Sequence, residues 1–202
     1  VKFETTQNMN PLPYPTGGGD IGKLWQHTNI TKDEDKRLVL AWLINCLIPF
    51  SGYPLLVFYG GQGTAKSTTQ SNLRDLIDPS KGNLRNKKAN ADFLGIQAVN
   101  NYIVSLENLG TGRDGLSAGE QNTLCTISTG GAISDRKKYT DNEESMQPVK
   151  NPIMMNGISG FVTAQDLISR SVIITLDTID STQRKTDSEL ELAFEKDKPE
   201  IF

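Results

Sequence analysis

The sequence predicts an α/β layered domain with a mainly parallel sheet, and three observations carry that expectation. Short aliphatic runs alternate with longer stretches of helical periodicity. The first such run is apolar at successive positions, as in a strand covered on both faces. A turn rich in glycine then joins that run directly to a helical stretch.

Composition narrows the reading further. A chain of 202 residues has room for one sizeable domain, at roughly 150 residues per domain. With 36% hydrophobic and 22% charged residues it is no disordered chain, collagen-like repeat or disulfide scaffold. The formal charge is only −3, from 21 basic and 24 acidic residues, so contact with a polyanion must come from a local patch. Cys46 and Cys125 lie in apolar stretches without metal spacing and read as buried thiols in a reducing, cytoplasmic compartment. The single histidine, His27, reads as a surface or interface residue and excludes His-based zinc sites. The longest apolar run, residues 38–50, is too short to span a bilayer, so no membrane partner is expected. An opening at Val1 and an ending just after a charged helical stretch read as a piece of a longer polypeptide.

Residues 1–20 hold three prolines and Gly17-Gly18-Gly19 and read as an arm, within a linker region of residues 1–30. Thr31 and Glu34 form a capping pattern ahead of an amphipathic helix that ends near Pro49. A buried strand follows at residues 53–59, then a helix over 66–77 and another over 91–99. A second strand spans 102–106, and Ser117 with Glu120 caps a helix running to about Thr126. Strands at 149–155 and 171–176 and a last helix from about Ser188 complete the pattern.

The strongest chemical signal is Gly60-Gly61-Gln62-Gly63-Thr64-Ala65-Lys66-Ser67, with Thr68 next, between a strand and a helix. Glycines let successive N–H groups point at phosphate oxygens, and the following helix adds its positive end. Lys66 supplies a cation for the β- and γ-phosphates and the Ser67 hydroxyl a ligand for Mg²⁺. Ala65 stands where this motif usually has glycine; one added methyl leaves the loop expected to survive.

Hydrolysis needs an acid at the end of a neighbouring strand, and Glu107 directly follows the second one. Asn108 resembles the polar partner that helps position water; Glu107 ending a strand in solvent is the plainer reading. Asn156, closing the third strand, has the reach of a γ-phosphate or water contact, or else makes the turn to Gly157. Arg170 can act across a subunit boundary, with a salt bridge to Asp166 as the alternative. Arg136, Lys137 and Lys138, with Tyr139 beside them, sit in a protruding loop or hairpin suited to a nucleic-acid backbone, or are simply solvated. The basic residues Arg85, Lys87 and Lys88 lack an aromatic neighbour and read as a solvated loop.

The order of these features resembles the motor core of AAA+ ATPases of phages and mobile elements, related to superfamily 3 and minichromosome-maintenance-like replicative helicases. The resemblance rests on Ala41-Trp42-Leu43, Tyr53-Pro54, residues 60–68, Asp78-Pro79-Ser80, Glu107-Asn108, Leu124-Cys125, Thr129-Gly130-Gly131, residues 136–141, Asn156-Gly157 and residues 166–170. It implies a three-layer P-loop NTPase sandwich over residues 31–180, with residues 181–202 beginning a helical lid. It further implies a Mg²⁺-dependent ATPase that works on DNA in replication, assembled as a homo-oligomeric ring, a hexamer being one candidate size. In that reading Ser67 and Glu107 hold the metal, though members commonly carry Asp at the latter position. Asn156 senses the γ-phosphate, Arg170 is the trans-acting finger, and the hairpin with Arg136, Lys137 and Lys138 faces the channel and DNA. A nucleotide-gated DNA-binding or assembly module with little hydrolysis is the alternative, motivated by Ala65 and the Glu107-Asn108 pair. A small-molecule kinase would need an acceptor pocket and a lid, for which the sequence gives no basis.

Overall fold

The computed structural model describes residues 8–48, 52–81, 91–111, 115–136 and 144–202. A 3-10 helix at Ile21–His27 precedes α1 (Asp33–Cys46), β1 (Leu55–Tyr59), α2 (Lys66–Asp75), α3 (Ala91–Asn100) and β2 (Val104–Leu109). Then come α4 (Ala118–Thr129), β3 (Gly131–Arg136), β4 (Glu144–Val149), β5 (Ile153–Gly157), α5 (Gln165–Ser169), β6 (Ser171–Thr175) and α6 (Asp187–Ile201). Four strands form a parallel sheet in the order β2-β5-β1-β6, while β3 and β4 make a separate antiparallel hairpin. The fold is therefore α/β with a mainly parallel central sheet.

Strand alternation builds two cores on one sheet. Leu56 and Phe58 of β1 and Met154 of β5 join Val39, Trp42 and Leu43 of α1, Leu73 of α2 and Phe194 and Ile201 of α6 on one face. Leu55, Val57, Ile153 and Met155 turn the other way, toward Leu94 of α3, Leu124 and Ile127 of α4 and Leu167 of α5. Helices thus cover both faces, giving three layers, and the sheet strands are apolar on both sides for that reason.

Several boundaries differ from expectation. Helix α1 is not capped by Thr31: Lys32 takes the cap position without a side-chain bond, and Asp33, Glu34 and Asp35 instead place negative charge on the positive helix end. The helix stops at Cys46, and Pro49 lies outside the described residues. The Ser117–Glu120 capping box forms as read, and a second one, Thr186 with Glu189, starts α6. Val149 ends β4 rather than opening β5, because Asn151 and Pro152 break the extended run.

Much of the amino-terminal segment is bonded to the body. The N–H of Asn10 donates to the Pro79 carbonyl (2.9 Å), that of Thr16 to Pro199 (2.9 Å) and that of Asp20 to Glu200 (2.8 Å). The last two supply donors to carbonyls at the end of α6 that have no partner within the helix. Leu24 and Ile30 are core residues. His27 is not a surface residue: its ring is largely enclosed, with Nε2 3.0 Å from the Asp197 carboxylate and its edge against Phe194. Docking of the 3-10 helix on α6 encloses it. Cys46 and Cys125 are both free thiols, but only Cys46 is buried; Cys125 is half-exposed and bonded to Asp166. Among the described residues no helix is long and apolar enough to cross a membrane.

Candidate functional site

The glycine-rich loop leaves β1 at the carboxyl edge of the sheet and runs straight into α2. Gly60 lies in a tight passage: a methyl there would come 2.6 Å from Thr64 Oγ1 and 3.0 Å from the Leu176 carbonyl. Its N–H reaches the Gly157 carbonyl at 3.3 Å and that of Ile158 at 3.2 Å, which anchors the loop to β5. Thr64 is buried and donates to the Gly61 carbonyl at 3.0 Å. Gly63 has φ +76°, and any side chain on it would meet the Arg184 guanidinium.

Ala65 is where expectation needs correcting in detail. Its methyl is not the difficulty; its backbone is, with φ 52° and ψ 32° at the cap of α2. A left-handed alanine costs about 1–2 kcal/mol, which explains why glycine suits this position. The loop nevertheless keeps its course.

Lys66 opens α2 and folds back over the loop, with Nζ donating to the Gly61 carbonyl at 2.6 Å and to Thr64 Oγ1 at 3.4 Å. Partial burial pushes its pKa down from the usual lysine value. Among the described residues, both hydrogen bonds of this cation go to oxygens of its own loop. Ser67 is exposed on the first turn of α2, and Gln62 is exposed on the loop.

Glu107 and Asn108 do not follow β2, as read from the sequence; they lie inside it. Leu106 pairs with Met155 and Leu109 with Gly157, so three steps on β2 face two on β5. That extra residue is a β-bulge, and Asn108 adopts φ 60° within it. Nor is β2 the neighbour of β1, because β5 runs between them. Glu107 still falls at the carboxyl edge, level with the end of β5 and of β1. Lys66 and Glu107 therefore share the carboxyl edge of the sheet.

Asn156 is buried on β5 between those two strands. Its Oδ1 accepts from the Asn108 N–H (3.1 Å) and its Nδ2 donates to Gln70 Oε1 (3.0 Å). Arg170 is elsewhere. It sits just before β6 at the amino edge, where its carbonyl accepts from the Leu55 N–H at 2.8 Å. The loop lies beyond the far end of the five-residue β6, about 16 Å along the strand. Within the chain Arg170 forms the alternative ion pair, with Nε and Nη2 at 3.1 and 2.9 Å from Asp166 Oδ1. Arg136 ends β3, opposite Glu144, at the tip side of the hairpin. Lys137 and Lys138, like Arg85, Lys87 and Lys88, lie outside the described residues.

The structure adds residues that the sequence did not flag. Asn29 donates from Nδ2 to the carbonyls of Thr64 (3.1 Å) and Asp177 (2.7 Å), buckling the amino-terminal segment to the loop. The Ile179 N–H donates to the Gly63 carbonyl at 3.1 Å, and the Ile179 carbonyl accepts from Arg184 Nη2 at 3.2 Å. Arg184 is thus held over Gly63 by its own chain. A pocket of about 330 Å³ opens here, lined by Gly63, Ala65 and Thr68 on one side and His27, Thr28 and Arg184 on the other. Thr28 Oγ1, on its wall, is a buried atom without a partner among the described residues. No motif marks these positions, because three separated segments meet only in the fold.

Among the described residues no group of three His, Cys, Asp or Glu side chains could hold a metal. Ser67 and Glu107 are hard oxygen donors on one edge, a set that suits Mg²⁺ only with further oxygens from a ligand.

Comparison with known proteins follows the same outline. The family model for the actinomycete integrative conjugative element replication protein matches residues 21–202, and the chain belongs to that family. Among solved structures, the NrS-1 C-terminal region superposes with a TM-score of 0.65 at 17% identity, covering 98% of this chain and 48% of that one. A JCV helicase bound to a substituted phenylacetamide compound gives 0.55 at 18% identity, covering 89% of this chain and 50% of that one. At such identities the likeness is one of fold, and the chain spans about half the length of these structures. No curated protein sequence gives a significant match.

Proposed function

We propose that this replication protein carries an ATP-binding and ATP-hydrolysing P-loop motor core that acts on DNA as part of a helicase. The observation that carries the reading is the shared edge: the glycine-rich loop, the amino end of α2, Lys66 and Glu107 converge on one rim of the sheet. In this reading the loop residues Gly60 to Thr68 wrap the phosphates with backbone N–H groups, aided by the positive end of α2. Lys66 leaves the Gly61 carbonyl and pairs with the β- and γ-phosphates. Arg184, held over Gly63, adds a second cation from the same chain. The pocket beside it takes the nucleoside, with the unpartnered Thr28 hydroxyl available to a polar edge.

Ser67 and Glu107 would hold Mg²⁺, which when bound supplies charge stabilisation to phosphoryl oxygens. Glu107 and Asn108 orient the attacking water from the bulge. Arg170 faces away from its own loop, so it serves a nucleotide on a neighbouring copy in a homo-oligomeric ring. In this reading Arg136, Lys137 and Lys138 contact the DNA backbone through their positive charge.

Phosphate release from ATP, measured with Mg²⁺ in the presence and absence of single-stranded DNA, tests the proposal. DNA-stimulated turnover that Glu107→Gln abolishes is the expected result. Left-handed Ala65 and the bulge at Asn108 favour a second reading, a nucleotide-gated assembly or DNA-loading module with little hydrolysis. Tight ATP binding without phosphate release in either condition selects that one.

A further inference from the structure

Helix α2 buries several polar side chains, Thr69, Gln70 and Arg74 among them, and Gln70 is the one bonded to both β2 and β5. Gln70 lies one turn beyond Lys66 and is completely buried. Its Nε2 donates to Ser105 Oγ (2.9 Å) and to the Leu106 carbonyl (3.1 Å), both on β2. Its Oε1 accepts from Asn156 Nδ2 on β5 at 3.0 Å. Asn156 Oδ1 in turn accepts from the Asn108 N–H at 3.1 Å. Ser105 and Asn156 are each only 1% exposed, so the middle of this chain of bonds is shielded from solvent.

The amide orientations are fixed by the ends of the chain. A backbone N–H at Asn108 requires the Asn156 oxygen, which leaves the Asn156 nitrogen for Gln70. The Leu106 carbonyl requires the Gln70 nitrogen, which leaves its oxygen for Asn156. Flipping either amide would set donor against donor. An apolar side chain at position 70 would fill the same space without the desolvation cost that buried amides carry. This amide pair lies between the helix that begins at Lys66 and the bulge that holds Glu107 and Asn108.

We propose that Gln70 is a positioning residue that couples α2 to the Glu107–Asn108 bulge through Asn156. Resting on the nucleotide-binding reading above, it makes the bulge respond when a triphosphate draws on Lys66 and moves α2. Asn156 then reports the γ-phosphate through Gln70 and Asn108, not by touching it.

The test is Gln70→Met, which conserves volume and removes the amide. Amide exchange at Asn108, read by NMR with and without a non-hydrolysable ATP analogue, is combined with steady-state kinetics. In the wild type, the analogue changes Asn108 protection. In the variant, Asn108 exchanges about tenfold faster without ligand, from loss of one hydrogen bond's worth of order, and the response to the analogue disappears. Turnover falls about 10- to 100-fold while the KM for ATP stays within about threefold, the signature of a misplaced group rather than lost binding. A variant that only melts earlier, with wild-type kcat and unchanged Asn108 exchange, overturns the proposal. If Gln70→Met does not fold, the wild type decides alone: Asn108 protection that the bound analogue leaves unaltered also overturns it. If the wild type binds no nucleotide, the motor reading falls and takes the coupling with it. Faster Asn108 exchange in the variant would then leave the bond chain as a structural brace only.

Discussion

Two aspartate–arginine pairs with the same four-residue spacing sit at the amino edge of the sheet, and they differ in almost everything else. Asp78 and Arg74 are 1–2% exposed in their side chains, with the carboxylate also taking the Ile103 N–H at 2.9 Å and the guanidinium reaching Asn101. Asp166 and Arg170 are 62% and 41% exposed and bond each other and the Cys125 thiol. The Arg170 hydrogen bond, more than the thiol's, holds the Asp166 carboxyl below the usual carboxylate range. The first pair is bound into the start of β2 and cannot leave without orphaning buried groups. The second is a surface pair, whose partner exchange is nearly free. One arginine is locked into the architecture, and the other lies in an exposed pair at the surface.

That contrast can be sharpened from its largest consequence downward. Replacing Arg170 by alanine should lower DNA-stimulated ATP turnover of the assembled protein by about 10³-fold or more. Nucleotide affinity and melting temperature should not change. Equal turnover in wild type and variant would return Arg170 to a mere surface partner of Asp166. At the buried pair the same kind of change acts on stability: Asp78→Ala should cost about 3–5 kcal/mol in urea unfolding, by leaving Arg74 and the Ile103 N–H uncompensated. A loss below about 1 kcal/mol, the size of a surface pair, would erase the difference between the two.

The carboxyl edge offers two smaller tests. Arg184→Ala should weaken ATP binding about tenfold, the value of one charge-assisted hydrogen bond, with kcat little altered. An unaltered Kd from fluorescence titration would make Arg184 a cover for Gly63 only. Ala65→Gly should relieve the left-handed backbone and raise stability by up to about 1 kcal/mol, part of the gain offset by a freer unfolded chain. Destabilisation by thermal unfolding would show that the methyl packs usefully despite its φ.

How far the sequence could be read depends on whether a feature is local. The glycine-rich loop was legible because its chemistry is contiguous: glycines, lysine and hydroxyl stand in one stretch between a strand and a helix. The α4 cap was legible for the same reason, since Ser117 and Glu120 are three residues apart. Thr31 with Glu34 shows the same spacing, yet the chain enters α1 at Lys32, so a local pattern alone did not decide the cap. The β2 bulge left no mark, because it exists only relative to the register of β5. Gln70 bonds Asn156 across 86 positions and Asn156 bonds Asn108 across 48, separations at which no spacing rule operates. His27 was misplaced for a related reason: its enclosure comes from α6, 170 positions away at Asp197.

The central claim is that the loop between β1 and α2 grips a triphosphate through Lys66. Isothermal calorimetry of ATP with Mg²⁺ into the protein and into Lys66→Ala tests it directly. A saturable heat at one ATP per chain that the substitution removes is the predicted result. No heat with the wild type, or the same binding curve for both proteins, would contradict it.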